Sequence, residues 1–323
     1  LLRTPLSGAR KGDVYFDESH VRSKLAWDDL IAAMESSLAA FSRGETLQPL
    51  RTVLTVNEGK RFFGIMPAVA GDVMGLKAVT FYPNNQELGI PTHNGTILLF
   101  RTDTGEPLAA MDGARLTQWR TAAASALAAR YLAKSNARRL LMVGAGAMAP
   151  FLVRAHCAVR PIAEVALWNH RRAGAERLAQ ILAGGGLRIT IADDLEQAAR
   201  EADVISCATL SPSPLIKGDW LKGGQHVDLV GAFNLQMREA DDEALRRARV
   251  FIDTEAALHE GGDVAVAIAK GAIAKSHIVA DLAALCAGAT GRRSEDEITL
   301  FKSVGAAIED LAAAMLVWRR RLS

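Results

Sequence analysis

A chain of 323 residues with 50% hydrophobic and 23% charged side chains has the length of one large or two ordinary domains, which excludes a disulfide-stapled miniprotein and a disordered tail. Lys and Arg total 38 against 36 Asp and Glu, so the net charge of +2 creates no whole-chain field for nucleic acid or an anionic membrane, and a small-molecule partner is expected. Cys157, Cys207 and Cys286 are widely spaced, which fits neither a disulfide framework nor a zinc site and points to a reducing, cytoplasmic setting.

The first residues, LLRTPLSGARKGD, lack the apolar core and cleavage site of a secretory signal and read as an unstructured lead-in. Residues 27–41 place Leu30, Ile31, Met34, Leu38 and Phe41 at helical spacing. Residues 51–56, 62–66, 75–81 and 96–101 read as strands, with Asn84, Asn85, Gly89, Pro91, Gly105 and Pro107 in the turns, so a mostly antiparallel sheet is expected here. From Thr117, taken as an N-cap, TQWRTAAASALAARYLA predicts a closely packing helix that links two domains.

Strands and helices then alternate. LLMV (140–143) is followed by a helix from about Ala147, EVALWN (164–169), a helix over 175–182 and RITIA. A helix opened by Asp193, with Glu196 in capping-box register, precedes DVISCAT, HVDLVG and RVFID. This beat predicts a parallel sheet covered by helices on both faces. Residues 303–321 read as one long helix ending in Arg319, Arg320 and Arg321, cations suited to a helix C-terminus. The longest apolar stretch, 140–153, is broken by Gly144, Gly146 and Pro150 and falls short of the roughly 20 residues of a membrane span, so the chain reads as soluble.

The sharpest local signal is LLMVGAGAMA, a strand entering a helix through a G-x-G-x-x-A turn. Gly144 allows the tight turn, Gly146 lets backbone N–H groups approach a pyrophosphate, and Ala149 lets the helix pack close to the strand. The next strand ends in Trp168, Asn169, His170, Arg171 and Arg172, where an NAD site usually offers an acid to the ribose. No carboxylate stands there to repel a 2′-phosphate, and Arg171 or Arg172 can contact one, so NADP(H) is preferred and NAD(H) is allowed.

Arg51, Lys77 and Arg120 each interrupt an apolar or small-residue context, and together they would make a carboxylate receptor if the fold brought them together; singly, each reads equally as a surface charge or a structural ion pair. His93, in a turn before a strand, is open to a structural or a site role. His156 and His259 lack partners at metal-ligand spacing, so no metal is expected. Ser211 to Pro214 reads as a loop over the sheet edge, and Asp241, Asp242 and Glu243 as a solvated helix start.

The segments RTVLTV, FFGIMPAV, GLKAVTFYPNN, THNGTILLF, PLAAMDGARLTQWRTAAASALAARYLA, VGAGAMA, WNH, ADVISCAT, HVDLVGAF, MREADDE and FKSVGAAIEDLAAAMLVW together resemble the ornithine cyclodeaminase/mu-crystallin family. The resemblance runs from about Trp27 to the C-terminal helix. It implies a homodimer of α/β class, in which a Rossmann doubly wound parallel sheet domain (119–302) is inserted into an α+β dimerisation and substrate domain (1–118 with 303–323). It also implies that Arg51, Lys77 and Arg120 hold a substrate carboxylate. Thr92, His93, Thr121, Asn169, His170, Arg171, Thr209 and Leu210 would line the dinucleotide beside Gly144, Ala145, Gly146, Ala147 and Met148.

The departures choose among the family's activities. Cyclodeaminases carry an aspartate at the fourth position of the segment that reads VGAF here, where this chain has Phe233, and an acid where it has Gly64. A phenyl ring neither accepts a proton nor pairs an ammonium, and Asp228, in the preceding strand, is not that acid. What remains is similar to the reductase branch, which reduces cyclic imino acids (Δ1-pyrroline-2-carboxylate to L-proline, Δ1-piperideine-2-carboxylate to L-pipecolate). Phe233 would floor the ring, and Lys77 would be the catalytic group, supplying a proton to the imine or only orienting it. The alternatives are a cyclodeaminase, an alanine- or opine-type amino-acid dehydrogenase, and a non-catalytic small-molecule binder.

Overall fold

A computed structural model describes residues 15–56 and 61–322; the lead-in 1–13 lies outside them. β1 (Tyr15–Phe16), α1 (Glu18–Lys24) and α2 (Trp27–Ser42) precede β2 (Thr46–Leu47), β3 (Thr52–Val56), β4 (Arg61–Ala70), β5 (Val73–Phe81), β6 (His93–Arg101) and β7 (Pro107–Asp112). These strands form one sheet in the order β1-β7-β6-β5-β4-β2, with β3 also paired to β4. Every pairing is antiparallel except β1 with β7.

α3 (Gly113–Leu132) then crosses to a second sheet. Along it follow β8 (Arg139–Val143), α4 (Ala149–Val159), β9 (Glu164–Trp168), α5 (Arg172–Leu182), β10 (Arg188–Ile191), α6 (Leu195–Glu201), β11 (Val204–Cys207) and β12 (His226–Leu229). α7 (Asp242–Arg247), β13 (Ala248–Ile252), α8 (Gly262–Ala269), β14 (Ile278–Asp281), α9 (Leu282–Cys286), β15 (Ile298–Lys302) and α10 (Ala307–Arg319) complete the chain. The sheet order is β10-β9-β8-β11-β12-β15-β13-β14 and every pair is parallel. β11, β12 and β15 are buried at every residue, as strands covered on both faces require. This is the α/β, Rossmann-like architecture expected from the sequence, with a mixed sheet beside it.

α3 links the two sheets. Its alanines are small enough for α2, α4 and α10 to pack closely against it at once. After β15 the chain returns to the first sheet, where α10 packs on α2, β4 and β5. No helix among the described residues is long and apolar enough to cross a membrane.

Several boundaries differ from expectation for local reasons. α3 starts four residues before Thr117, because the Asp112 carboxylate accepts the Arg115 N–H at 2.7 Å and caps the helix there. Gly113 is required at that start, since a Cβ would lie 2.7 Å from the Gly95 backbone. α4 begins at Ala149 rather than Ala147, α5 at Arg172, and α6 is capped by Asp194, not Asp193, which instead pairs with Arg172. The final helix is Ala307–Arg319 only. Residues 303–306 are held out of it by Gly305 at φ +85° and by side chains that bind their backbone. β7, β14 and β15 are additional strands; Pro107 is tolerated because it opens β7. Asp241 is half-buried, accepting the N–H groups of Gly218 and Ala244, so this helix start is structural rather than merely solvated.

The two cap assignments are separable by mutation. Asp112→Ala is expected to cost about 1 kcal/mol of unfolding free energy in urea, whereas Thr117→Ala, inside the helix, changes it by no more than about 0.5 kcal/mol.

Candidate active site

Arg51 lies just before β3, Lys77 on β5 and Arg120 on α3, and all three converge on residues 303–310. Lys77 Nζ donates to Asp310 Oδ1 at 2.9 Å with Oδ2 at 2.8 Å, and both residues are 3% exposed. Arg120 donates from Nε to the same Oδ1 at 2.8 Å and from Nη1 to Glu309 Oε2 at 2.7 Å. Arg51 donates to the carbonyls of Val304 and Gly305 at 3.2 and 2.6 Å and pairs with Glu260 at 3.3 Å. Asp253 holds the same turn from its other side by accepting the N–H groups of Val304 and Gly305. Gly305 lets Arg120 approach, since a Cβ there would lie 2.6 Å from Nη1.

Three cations therefore meet four carboxylates: Asp253, Glu260, Glu309 and Asp310. Burial, with Arg120 beside it, brings Lys77 down to about 8, against the opposing pull of Asp310. Burial pushes Glu309 up to about 7, resisted by Arg120 and reinforced by Asp253 and Asp310; Asp253 is raised by burial as well. Asp310 and Glu309 hold Arg120 above its ordinary value against the effect of burial. These acids were not singled out in the sequence, although an Glu-Asp pair inside the apolar helix AAIEDLAAAM was a readable sign of buried cations nearby.

Beside the cations stands an aromatic wall. Phe81 lies 4.6 Å from the His93 ring and 5.5 Å from Phe233, with His93 and Phe233 5.8 Å apart. His93 keeps an exposed edge, yet desolvation by the surrounding protein and the charge of Lys77 lower its pKa, so the imidazole is neutral at pH 7. Thr92 Oγ1 lies 3.3 Å from its Nδ1.

The glycine turn borders this wall. Gly144 has φ +101°, and a Cβ on it would lie 2.6 Å from the Ala208 carbonyl and 3.0 Å from Thr209 Cγ2. Nothing lies within 4 Å of a Cβ built on Gly146, which leaves open space above the turn, and Gly146 and Ala147 are exposed. Ala145 and Met148 are half-buried beneath, and Ala149 is fully buried where α4 meets the sheet. Asn169 Nδ2 donates to the Arg171 carbonyl at 2.8 Å, and Arg171 Nε donates to His170 Nε2 at 3.1 Å. Of the two arginines, Arg172 is held by Glu176 and Asp193, while Arg171 makes no ion pair among the described residues. Thr209 caps the edge of β11 and Leu210 next to it is 55% exposed; Thr121 follows Arg120 on α3 and is half-buried.

Neighbour contacts link the pieces: Gly144 abuts Thr209, Thr209 meets Gly231, and Phe233, two residues on, faces His93, whose pKa is lowered in part by the charge of Lys77. Asp228 stands apart from them. It is sealed in the second sheet, accepting from Ser125 at 2.9 Å and Ser206 at 2.7 Å and lying 3.2 Å from His156 Nε2. His156 thereby finds a carboxylate partner, and this network pins α3 and α4 to the sheet. Among the described residues no group of three or more His, Cys, Asp or Glu is disposed to hold a metal ion.

The profile of the ornithine cyclodeaminase/mu-crystallin family matches residues 13–323. A Δ1-pyrroline-2-carboxylate reductase of Paracoccus denitrificans is 39% identical over 302 residues, covering 92% of this chain and 93% of the relative. Ketimine reductase mu-crystallin of Mus musculus is 37% identical over 307 residues, 93% and 94% of the two chains. The solved structure of Thermococcus litoralis Δ1-pyrroline-2-carboxylate reductase, in complex with NADH and L-proline, superposes with a TM-score of 0.93 at 33% identity over 96% of this chain and 97% of its own.

Removing the shared carboxylate takes from the buried Lys77 ammonium and the Arg120 Nε–H their common acceptor. Asp310→Asn is expected to lower unfolding free energy by about 3 kcal/mol, read by urea titration at pH 7.

Proposed function

The chain belongs to the ornithine cyclodeaminase/mu-crystallin family, and from that premise we propose that it reduces cyclic imino acids with a nicotinamide dinucleotide. The observation that carries this reading is the convergence of Arg51, Lys77 and Arg120 beside an aromatic wall that ends in Phe233, contiguous with an open glycine turn. The relatives named above act on, or are found with, this class of molecule.

The residues fit a dinucleotide. Gly144 admits the backbone close to the sheet edge, and the space over Gly146 leaves the N-terminus of α4 open to a pyrophosphate. The end of β9 offers Asn169, His170 and Arg171 and no acid. Arg171 is uncommitted to a carboxylate, which supports a preference for NADP(H), with NAD(H) also accepted. When bound, the reduced nicotinamide supplies the hydride.

The chain's own side chains do the rest. Arg51, Lys77 and Arg120 receive the substrate carboxylate, and Phe233, Phe81 and His93 pack the ring and exclude water. The C=N carbon gains a hydride, its π electrons become the nitrogen lone pair, and the nitrogen must be protonated for this to run. His93 is neutral and does not serve as a cationic acid. Lys77, at about 8, is the pocket cation whose proton is labile near neutral pH, so the proton-handling role falls to it.

Residues 1–118 with 303–323 form the dimerisation and substrate domain in this proposal, and 119–302 the nucleotide domain. Leu47, Leu50, Val53 and Leu54 are exposed along the β2–β3 edge, which supports a homodimer that covers them. Three unpaired thiols support a cytoplasmic location.

A spectrophotometric screen tests the function. NADPH is expected to be oxidised with five- and six-membered cyclic imino acids, no ammonia is released from L-ornithine, and ammonia with an α-keto acid consumes no NADPH. Arg171→Ala should lower the NADPH-to-NADH ratio of kcat/KM by about tenfold, the value of one charge-assisted contact. Lys77→Met should lower kcat/KM at least about tenfold. Lys77 is charged below about pH 8 and neutral above it, so wild-type kcat/KM falls as pH rises through about 8, and this limb is absent from Lys77→Met.

A further inference from the structure

The Met-Arg-Glu segment after β12 contributes one buried carboxylate that the reaction above does not use. Glu239 is fully buried, and its two oxygens face two different loops. Oε1 accepts the backbone N–H and the hydroxyl of Thr209, at 2.6 and 2.9 Å, just past β11. Oε2 accepts the N–H of Gly231 at 2.7 Å, just past β12. Thr209 abuts Gly144 in the glycine turn, while Gly231 leads within two residues to Phe233 in the aromatic wall.

The carboxylate is itself fixed from behind. Asp263 Oδ1 accepts the N–H groups of Glu239 and Ala240 at 2.7 and 2.9 Å, and its Oδ2 lies 3.2 Å from the buried ammonium of Lys302. The carbonyl of Glu239 accepts from Leu215 and Ile216. Two parallel strands end here at the crevice where an open α/β sheet binds ligands, and their loops meet so closely that a Cβ on Gly231 would collide with Thr209. A side chain that needs three donors to satisfy it in this interior has one arrangement, and moving one loop unmakes the bonds to the other.

We propose that Glu239 is a positioning residue that couples the two halves of the site, its one carboxylate setting the nucleotide shelf at Thr209 and the ring floor at Gly231 and Phe233 together. The proposal rests on the imino-acid reductase reading. Its consequence is a cross-effect: a change confined to the nucleotide arm is felt by the imino acid.

Thr209→Val and Glu239→Gln in the full chain test it, with the NADPH dissociation constant read from nicotinamide fluorescence and steady-state kinetics on Δ1-pyrroline-2-carboxylate at saturating NADPH. Glutamine keeps one acceptor and turns an NH2 toward an N–H, so Glu239→Gln should lower kcat/KM at least tenfold and weaken both ligands. Thr209→Val removes one hydroxyl on the nucleotide side, yet should raise KM for the imino acid at least threefold as well as weakening NADPH. If Thr209→Val weakens NADPH alone and leaves the imino-acid KM within twofold of wild type, the coupling is overturned; this holds even if Glu239→Gln fails to fold. A wild-type chain that oxidises no NADPH with any cyclic imino acid overturns the reductase reading instead.

Discussion

The carboxylate of Asp310, shared by Lys77 and Arg120, is the contact on which the arrangement depends. It joins α10, β5 and α3, elements from the end, the beginning and the middle of the chain. Bringing these charges out of water costs several kcal/mol per ion before any attraction is counted. Such a cluster is poor evidence for stability, and apolar side chains of similar volume would serve the core as well. What an apolar core would not do is hold cations against residues 303–310. The cluster fixes buried charge in position where α3, β5 and α10 meet.

The same economy of position governs the second sheet. Its parallel strands end together at one edge, so the loops after β8, β11 and β12 meet without any contact along their strands having to be special. Glycines at 144 and 231 are where those loops touch, and at each a side chain would collide with the neighbouring loop. The site is therefore assembled from two unlike parts. In the proposed reading, the sheet edge would present backbone to the dinucleotide, and the charged seam between α3, β5 and α10 would present side chains to the carboxylate.

Features whose cause is local could be read from the sequence. The glycine turn, the parallel alternation and the missing acid after β9 are properties of a few consecutive residues, and the structure has them where expected. The three cations were legible as anomalies in apolar runs, but their convergence was not, because Lys77 and Arg120 meet an acid 233 and 190 residues further on. The boundary of the last helix was missed for the same reason. Residues 303–306 lie between β15 and α10, and Gly305 at φ +85° together with the distant carboxylate of Asp253 and guanidinium of Arg51 holds their backbone in a turn. At α3, Thr117 suits the pattern that follows it, whereas the cap that forms is Asp112, the last residue of β7, a strand that the sequence expectation lacks.

Charge balance connects the cluster to the choice of substrate. Three cations face four acids, and burial raises both Glu309 and Asp253 toward their protonated forms. In the proposed reading, a cyclic imino acid protonated on nitrogen is a zwitterion and would bring no net charge to such a site. An aspartate in place of Phe233 would add a negative charge that only a substrate with a further cation could balance, as the side-chain ammonium of a diamino acid does. With a phenyl ring there, packed against Phe81 and His93, an added ammonium would be buried against an apolar face with nothing to receive its donors. In the proposed reading, Phe233 would thus favour a substrate without a second cation.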